Sequence, residues 1–179
     1  MKVLVILGST QRPGSSTTLA EAFSKGAKEA GHEVTIYDAA KNPITPLEVD
    51  INKHVMPGDE NTQHYLHLLQ EADAVVFATP LYYFGMSAQM KAAVDRFYED
   101  KDGLKGDKYG VLLATGWGDS FRFDNLVGHY HALLHFMKWI DAGYITAQWS
   151  DNVDLLKQHD YIEQAYKIGR HLGEPIRVE

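Results

Sequence analysis

Val3-Leu4-Val5-Ile6-Leu7 runs directly into Gly8-Ser9-Thr10-Gln11-Arg12-Pro13-Gly14-Ser15-Ser16-Thr17-Thr18. An apolar run with no polar alternation describes a strand buried on both faces, as in a parallel sheet. The segment that follows is dense in hydroxyls, with two glycines and one arginine. It enters a helix whose apolar positions, Leu19, Phe23, Ala27 and Ala30, share one stripe, and Gly31 supplies a left-handed stop. A helix N-terminus offers free backbone N–H groups and a partial positive charge, which suits a phosphate. Ser9, Ser15, Ser16 and Thr17 add hydroxyl donors and Arg12 adds charge. The same hydroxyls also suit a structural turn and cap, but the position beyond a buried strand favours phosphate binding. No lysine follows Gly14, so this is not a Walker A loop, and the dinucleotide Gly-x-Gly-x-x-Gly spacing is absent too.

Outward from this unit, strands and helices alternate. Ala74–Ala78 and Gly110–Ala114 read as buried strands like the first; Glu33–Asp38 and Tyr144–Trp149 are mixed, as at sheet edges. Apolar stripes predict helices through Tyr65, Leu68, Leu69 and Ala72, and through Met90, Ala93, Val94 and Phe97 with Ser87 as cap. A fourth stripe is Leu126, Tyr130, Leu133, Leu134 and Met137. A fifth is Leu155, His159, Ile162, Tyr166 and Leu172, ended by Gly173 and Pro175. Central first, third and fourth strands with second and fifth at the edges give a five-stranded parallel sheet of order 2-1-3-4-5, an α/β three-layer sandwich in one domain over residues 1–179. One link is irregular: Ala39 to Pro57 holds three prolines and no periodicity, and reads either as a border of a site or as a variable surface loop.

In such a sheet ligands bind beyond the carboxyl ends of the strands, where the strand order reverses. Two further loops meet there. Thr79-Pro80-Leu81-Tyr82-Tyr83-Phe84-Gly85-Met86-Ser87 carries three consecutive aromatics, able to wall a flat ring or to pack on the core or a partner. Thr115-Gly116-Trp117-Gly118-Asp119 has two glycines that let the backbone approach a ligand, and Trp117 either covers that ligand or shields a turn.

Composition bounds the remaining possibilities. The chain of 179 residues has a net charge of −7 and no basic run, so no nucleic-acid partner is expected. The longest strongly apolar stretch, Ala74 to Ala88, is interrupted by Pro80 and too short to span a bilayer, so no membrane partner is expected. The first apolar run is too short for a signal core, and a cytoplasmic protein is expected. There is no cysteine, which excludes disulfides, thiolate catalysis and cysteine-ligated iron–sulfur clusters. His131 and His135 stand at i, i+4 and His64 and His67 at i, i+3, but no accompanying ligand pattern supports a metal, and none is expected. His129 and His131 are candidates for shaping a substrate mouth.

The string TPLYYFGMSAQMKAAVDRF, with Thr79-Pro80-x-Tyr82, Ser87, Lys91 and Asp95-Arg96, together with Gly8-Ser9, Arg12, Ser15-Ser16 and Leu19, resembles the NAD(P)H-dependent FMN reductase and flavodoxin-like oxidoreductase family. The resemblance extends from Met1 through the fourth strand and fades after about Asp141. It implies a flavodoxin-like fold, with the FMN phosphate on Ser9, Arg12, Ser15, Ser16 and Thr17. It implies the isoalloxazine against Pro80, Leu81, Tyr82, Tyr83 and Phe84 and against Thr115, Gly116 and Trp117. Asp95 and Arg96 are then a helix-surface or subunit-interface pair. A related branch, the iron–sulfur flavoproteins, carries a cysteine cluster after the second strand; residues 38–59 here have none. Thr10-Gln11 also stands where the family commonly has Pro-Arg, which shifts the arginine by one place.

The activity implied is hydride transfer from NAD(P)H through FMN to a small flat acceptor, such as a quinone, nitroaromatic or flavin. The cofactor performs the chemistry, so no catalytic side chain is assigned. The alternative is a flavodoxin-type electron carrier without nicotinamide activity, for which −7 is a weak acidic charge. The resemblance also suggests a homodimer, and Tyr83, Phe84, Met86 and Tyr98 are apolar residues that a second copy can cover.

Overall fold

In the computed structural model, which describes residues 1–174, five parallel strands form one sheet. They are β1 (Lys2–Leu7), β2 (Glu33–Asp38), β3 (Ala74–Tyr82), β5 (Tyr109–Thr115) and β6 (Ile140–Ala147), in the order β2-β1-β3-β5-β6. A two-residue strand β4 (Gly85–Met86) folds back antiparallel on the end of β3. Counting only the parallel strands, this is the expected 2-1-3-4-5 order. The continuous apolar runs are explained by the two-residue period of a strand: both faces are covered, so both alternating sets must be apolar. On one face Leu4, Ile6, Val75, Phe77, Leu112 and Ala114 are buried; on the other are Val3, Val5, Leu7, Val76, Val111 and Leu113.

The first face is covered by α2 (Glu60–Glu71), α3 (Ala88–Asp95) and α4 (Asp124–Met137), which contribute Tyr65, Leu69, Met90, Leu126, Tyr130 and Leu134. The second is covered by α1 (Ser15–Glu29), α5 (Val153–Leu156) and α6 (Tyr161–Arg170), with Leu19, Phe23, Leu156 and Ala165. The helix signals behave as their chemistry requires. Gly31 takes φ +85°, and the His32 amide donates back to the Ala27 carbonyl at 3.0 Å, closing α1. Ser87 accepts from the Met90 amide at 3.2 Å and caps α3.

Several boundaries differ from the sequence reading. The last strand is Ile140–Ala147 rather than Tyr144–Trp149, and the fourth extends through Thr115. The fifth helical stripe is two helices, α5 and α6, with His159 in the turn between them; Pro175, read as its stop, lies outside the described residues. Phe97 follows α3 on a 3-10 turn over Arg96–Asp100.

α1 and α6 cross at two glycines. A methyl group on Gly26 would stand 2.1 Å from the Tyr166 carbonyl oxygen, and one on Gly169 would stand 2.1 Å from that of Phe23. Only hydrogen on each Cα lets these backbones lie so close.

The irregular segment after β2 is anchored rather than loose. Arg96, 1% exposed, donates through Nε to the Thr45 carbonyl at 2.7 Å, through Nη2 to that of Pro46 at 3.0 Å and through Nη1 to that of Met56 at 2.9 Å. Glu99 neutralises it at 2.5 Å. Arg96 is therefore a buried loop anchor and not a helix-surface residue; Asp95, by contrast, pairs with Lys91 on the surface. The Tyr37 hydroxyl donates to the Asn42 and Asn61 carbonyls and holds both ends of the same segment. Burial and the Asp59 charge push Tyr37 up to about 12, so it stays a donor.

Candidate functional site

The carboxyl ends of β1, β3 and β5 bring the three loops together. At the first, the Gly8 amide donates to the Ala78 carbonyl at 2.8 Å, which joins the loop to β3. Ser87 completes this seam: its hydroxyl donates to the Gly8 carbonyl at 2.6 Å and its amide donates to Thr79 Oγ1 at 3.0 Å. A Cβ at Gly8 would stand 2.7 Å from Ser87 Oγ, so glycine there is what permits the close approach. Gly14 is the N-cap residue of α1, and no acidic residue lies in the first helical turn.

Ser15, Ser16 and Thr17 form that turn, all buried. Ser16 Oγ and Thr115 Oγ1 are 2.7 Å apart, which links the first loop to the third. Ser15 Oγ and Thr17 Oγ1 are buried with no hydrogen-bond partner. Buried hydroxyls without partners cost on the order of 1–3 kcal/mol each. Two of them beside the free N–H groups of a helix start form a donor set that fits a phosphate ester. Ser9 is buried too, its hydroxyl accepting from the Gln11 amide at 3.2 Å.

Arg12 is placed elsewhere. Its Nη1 donates to the Ser9 and Gln11 carbonyls at 2.8 and 2.7 Å, and its Nη2 meets Asp38 Oδ2 at 2.8 Å, at the end of β2. Burial alone would raise the Asp38 carboxyl. The hydrogen bond and charge of Arg12, with the Lys41 and Ala40 amides, outweigh it and hold Asp38 below the usual carboxylate range. Arg12 thus braces the loop against β2 rather than pointing its guanidinium at the Ser15–Thr17 turn.

The second loop is more regular than its sequence suggests. β3 continues through Tyr82, with Pro80 paired to Thr115, then turns back so that Leu81 opposes Met86 and Tyr82 opposes Gly85. The two corner residues, Tyr83 and Phe84, have φ of 45° and 66°. Such a turn favours asparagine and glycine, and aromatic side chains there are strained. Tyr83 is fully exposed, and Tyr82 and Phe84 are about half exposed.

In the third loop Gly116 packs on the second: a Cβ there would stand 2.9 Å from Leu81 Cβ. Its amide donates to the Ala147 carbonyl at 3.2 Å. The amides of Trp117 and Gly118 have no acceptor among the described residues. Trp117 is 55% exposed and meets Trp149 edge-on, ring centres 4.8 Å apart. His129 sits near Lys91 and Asp95 of α3, and His131 pairs with Asp141 at 3.2 Å at the start of β6.

A family model described as NADPH-dependent FMN reductase matches residues 1–154. The chain belongs to that family. The expected family resemblance and the flavodoxin-like fold are both borne out. Among individual relatives, the chain is 28% identical over 182 residues to YwqN of Bacillus subtilis (strain 168), named provisionally as an NAD(P)H-dependent FMN-containing oxidoreductase; the alignment covers 94% of this chain and 96% of that one. It is 28% identical over 190 residues to the iron–sulfur flavoprotein MJ1083 of Methanocaldococcus jannaschii, with 99% and 98% covered. In fold it is similar to an azoreductase from Bacillus anthracis str. Sterne, at TM-score 0.75 and 20% identity, covering 96% of this chain and 100% of that one. Among the described residues no helix is long and apolar enough to cross a membrane.

Sequence reasoning missed two features of the site: the hairpin, whose corner residues carry no glycine or asparagine signal, and Arg122, on the turn Ser120–Phe123 after the third loop. A lone arginine two residues past Ser120 gave no periodic or motif signal.

Proposed function

We propose that this protein is an FMN-containing reductase that takes hydride from NAD(P)H and delivers electrons to a small flat acceptor such as a quinone, nitroaromatic or flavin. Family membership supports the FMN- and NAD(P)H-dependent chemistry. The observation that carries the cofactor assignment is the pair of buried, partnerless hydroxyls of Ser15 and Thr17 at the start of α1. Ser9, Ser15, Ser16, Thr17 and the first-turn amides hold the phosphate. Arg12 contributes through the loop it braces and through its residual field. Pro80, Leu81, Tyr82, Tyr83 and Phe84 line one edge of the ring and Thr115, Gly116 and Trp117 the other. FMN, when bound, supplies the two-electron redox chemistry. The chain's own aromatic hairpin would wall the ring. The Trp117 and Gly118 amides, without acceptors among the described residues, would be free to donate to it.

The protein is further proposed to be cytoplasmic and a homodimer. Exposed Tyr83 and Phe84 on the hairpin and exposed Tyr98 after α3 favour the dimer, since a second copy would cover them. Light scattering at micromolar concentration tests it, and a monomer refutes it. The central experiment is an anaerobic absorbance spectrum with FMN, followed by NADH or NADPH. A flavin spectrum that bleaches within seconds supports the reductase. One that persists supports the electron-carrier alternative, and no bound flavin refutes the site.

A further inference from the structure

Arg12 is the one charged residue between Gly8 and Thr18, and its charge is already matched. Sheet register delivers the partner. Asp38 is paired with Leu7 across β1 and β2, and the Ala39 amide donates to the Leu7 carbonyl at 3.1 Å. The carboxylate therefore stands at the root of the first loop. Its two oxygens have separate partners. Oδ1 accepts from the Ala40 and Lys41 amides at 3.1 and 3.3 Å, and Oδ2 meets Arg12 Nη2 at 2.8 Å. Arg12 Nη1 is occupied in turn by the Ser9 and Gln11 carbonyls. The Arg12 and Asp38 side chains are only 30% and 15% exposed, so salt screens this pair less than a surface one. Lys41 Nζ also lies 3.9 Å from Oδ2, but on a side chain 76% exposed, where water weakens the attraction. The Ser15–Thr17 turn has no charged side chain of its own, and its partnerless hydroxyls are neutral donors. A phosphate beside a free guanidinium gains affinity from charge and loses that gain in salt. On hydroxyls and amides it does neither.

We propose that Asp38 is a positioning residue that withholds Arg12 from the phosphate, so that the loop receives a phosphate monoester on neutral donors and Asp38 sets how tightly FMN is held. The inference rests on the FMN reading above and names a residue, outside the three loops, that tunes that same site.

The test measures binding, not turnover. Quenching of flavin fluorescence gives the affinities of FMN and of riboflavin, which has the same ring and no phosphate, in about 20 and about 500 mM sodium chloride. In the unaltered protein the FMN affinity should change by less than about threefold across that range. Asp38→Asn keeps an acceptor for the Ala40 and Lys41 amides and removes the charge. FMN should then bind about tenfold tighter in low salt, the gain falling to about twofold in high salt, with riboflavin unchanged. Arg12→Gln leaves the carboxylate uncompensated, so FMN should weaken about tenfold in low salt and recover in high salt. The two substitutions together should return FMN to within about threefold of the unaltered protein at either salt. A steep loss of FMN affinity with salt in the unaltered protein overturns the inference, because the phosphate then already holds Arg12; this arm needs no variant. Asp38→Asn that gains nothing, or that loosens FMN and riboflavin alike, overturns it as well. So does a double variant no nearer the unaltered protein than Arg12→Gln is. Protein that binds FMN with steep salt dependence refutes this inference alone, and protein that binds neither flavin refutes the reductase reading with it.

Discussion

Replacing Gly26 with alanine probes the contact on which α1, the helix proposed to face the phosphate, rests. The added methyl would lie 2.1 Å from the Tyr166 carbonyl oxygen and 2.9 Å from the Arg170 amide nitrogen. Ordinary contact begins at 3.4 Å, so α1 and α6 must separate by about 1.3 Å or tilt. The obstacle is backbone on both sides, and no rotamer change relieves it. Overpacking of this kind costs roughly 1–3 kcal/mol, and the rigid neighbours put it near the upper end. Alanine returns about 1 kcal/mol in helix propensity, leaving a net loss of about 2 kcal/mol. For a chain of this size each kcal/mol moves Tm by roughly 2–4 °C, so Tm should fall by roughly 4–8 °C. The measurement is thermal unfolding by circular dichroism at fixed FMN concentration. Gly128→Ala on α4 is the control: nothing lies within 4 Å of the new methyl, and Tm should rise by roughly 2–4 °C from propensity alone. A Gly26→Ala protein that gained stability like the control would refute the close crossing.

Ser15→Ala together with Thr17→Val should weaken FMN binding by about 30-fold to 150-fold, at about 1–1.5 kcal/mol per lost hydrogen bond, read by quenching of flavin fluorescence. The same pair should leave the flavin-free protein as stable or more so, since both hydroxyls are orphaned without ligand. Tyr83→Asn with Phe84→Gly should raise the stability of the flavin-free protein by about 1–3 kcal/mol in urea titration, because asparagine and glycine tolerate positive φ, while lowering FMN affinity. Burial and Lys91 hold the His129 imidazole below its ordinary range, against a smaller opposing pull from Asp95. Its folded-state value is thus below its unfolded one, and its contribution is intact above about pH 6.5 and lost as pH falls through the folded value. Urea midpoints should therefore decline between pH 7.5 and 5.5, and His129→Gln should flatten that slope.

The parallel core was legible because a strand covered on both faces leaves a signature no surface element shares; Val3–Leu7 and Ala74–Ala78 needed no context. The hydroxyl loop was legible for the same local reason. What escaped depends on contacts distant in sequence. Nothing near Tyr83 and Phe84 announces a tight turn, since it is imposed by pairing with β4 against intrinsic preference. Arg96 resembles any helix-surface arginine until the segment from Thr45 to Met56, about fifty to forty residues earlier in sequence, wraps it. The pairing of Arg12 with Asp38 was hidden because that carboxylate stands at the end of another strand. The His159 turn interrupted a stripe whose apolar period continued across it.

Arg96 fastens the segment after β2 through the main-chain carbonyls of Thr45, Pro46 and Met56, not through any of its side chains. A peptide carbonyl is common to every residue, so this attachment is indifferent to what the segment spells. The scaffold therefore has a socket there. Its grip is on chain path, and the contents can be exchanged, lengthened or furnished with new ligating groups without redesign of the sheet or of the three loops beside it.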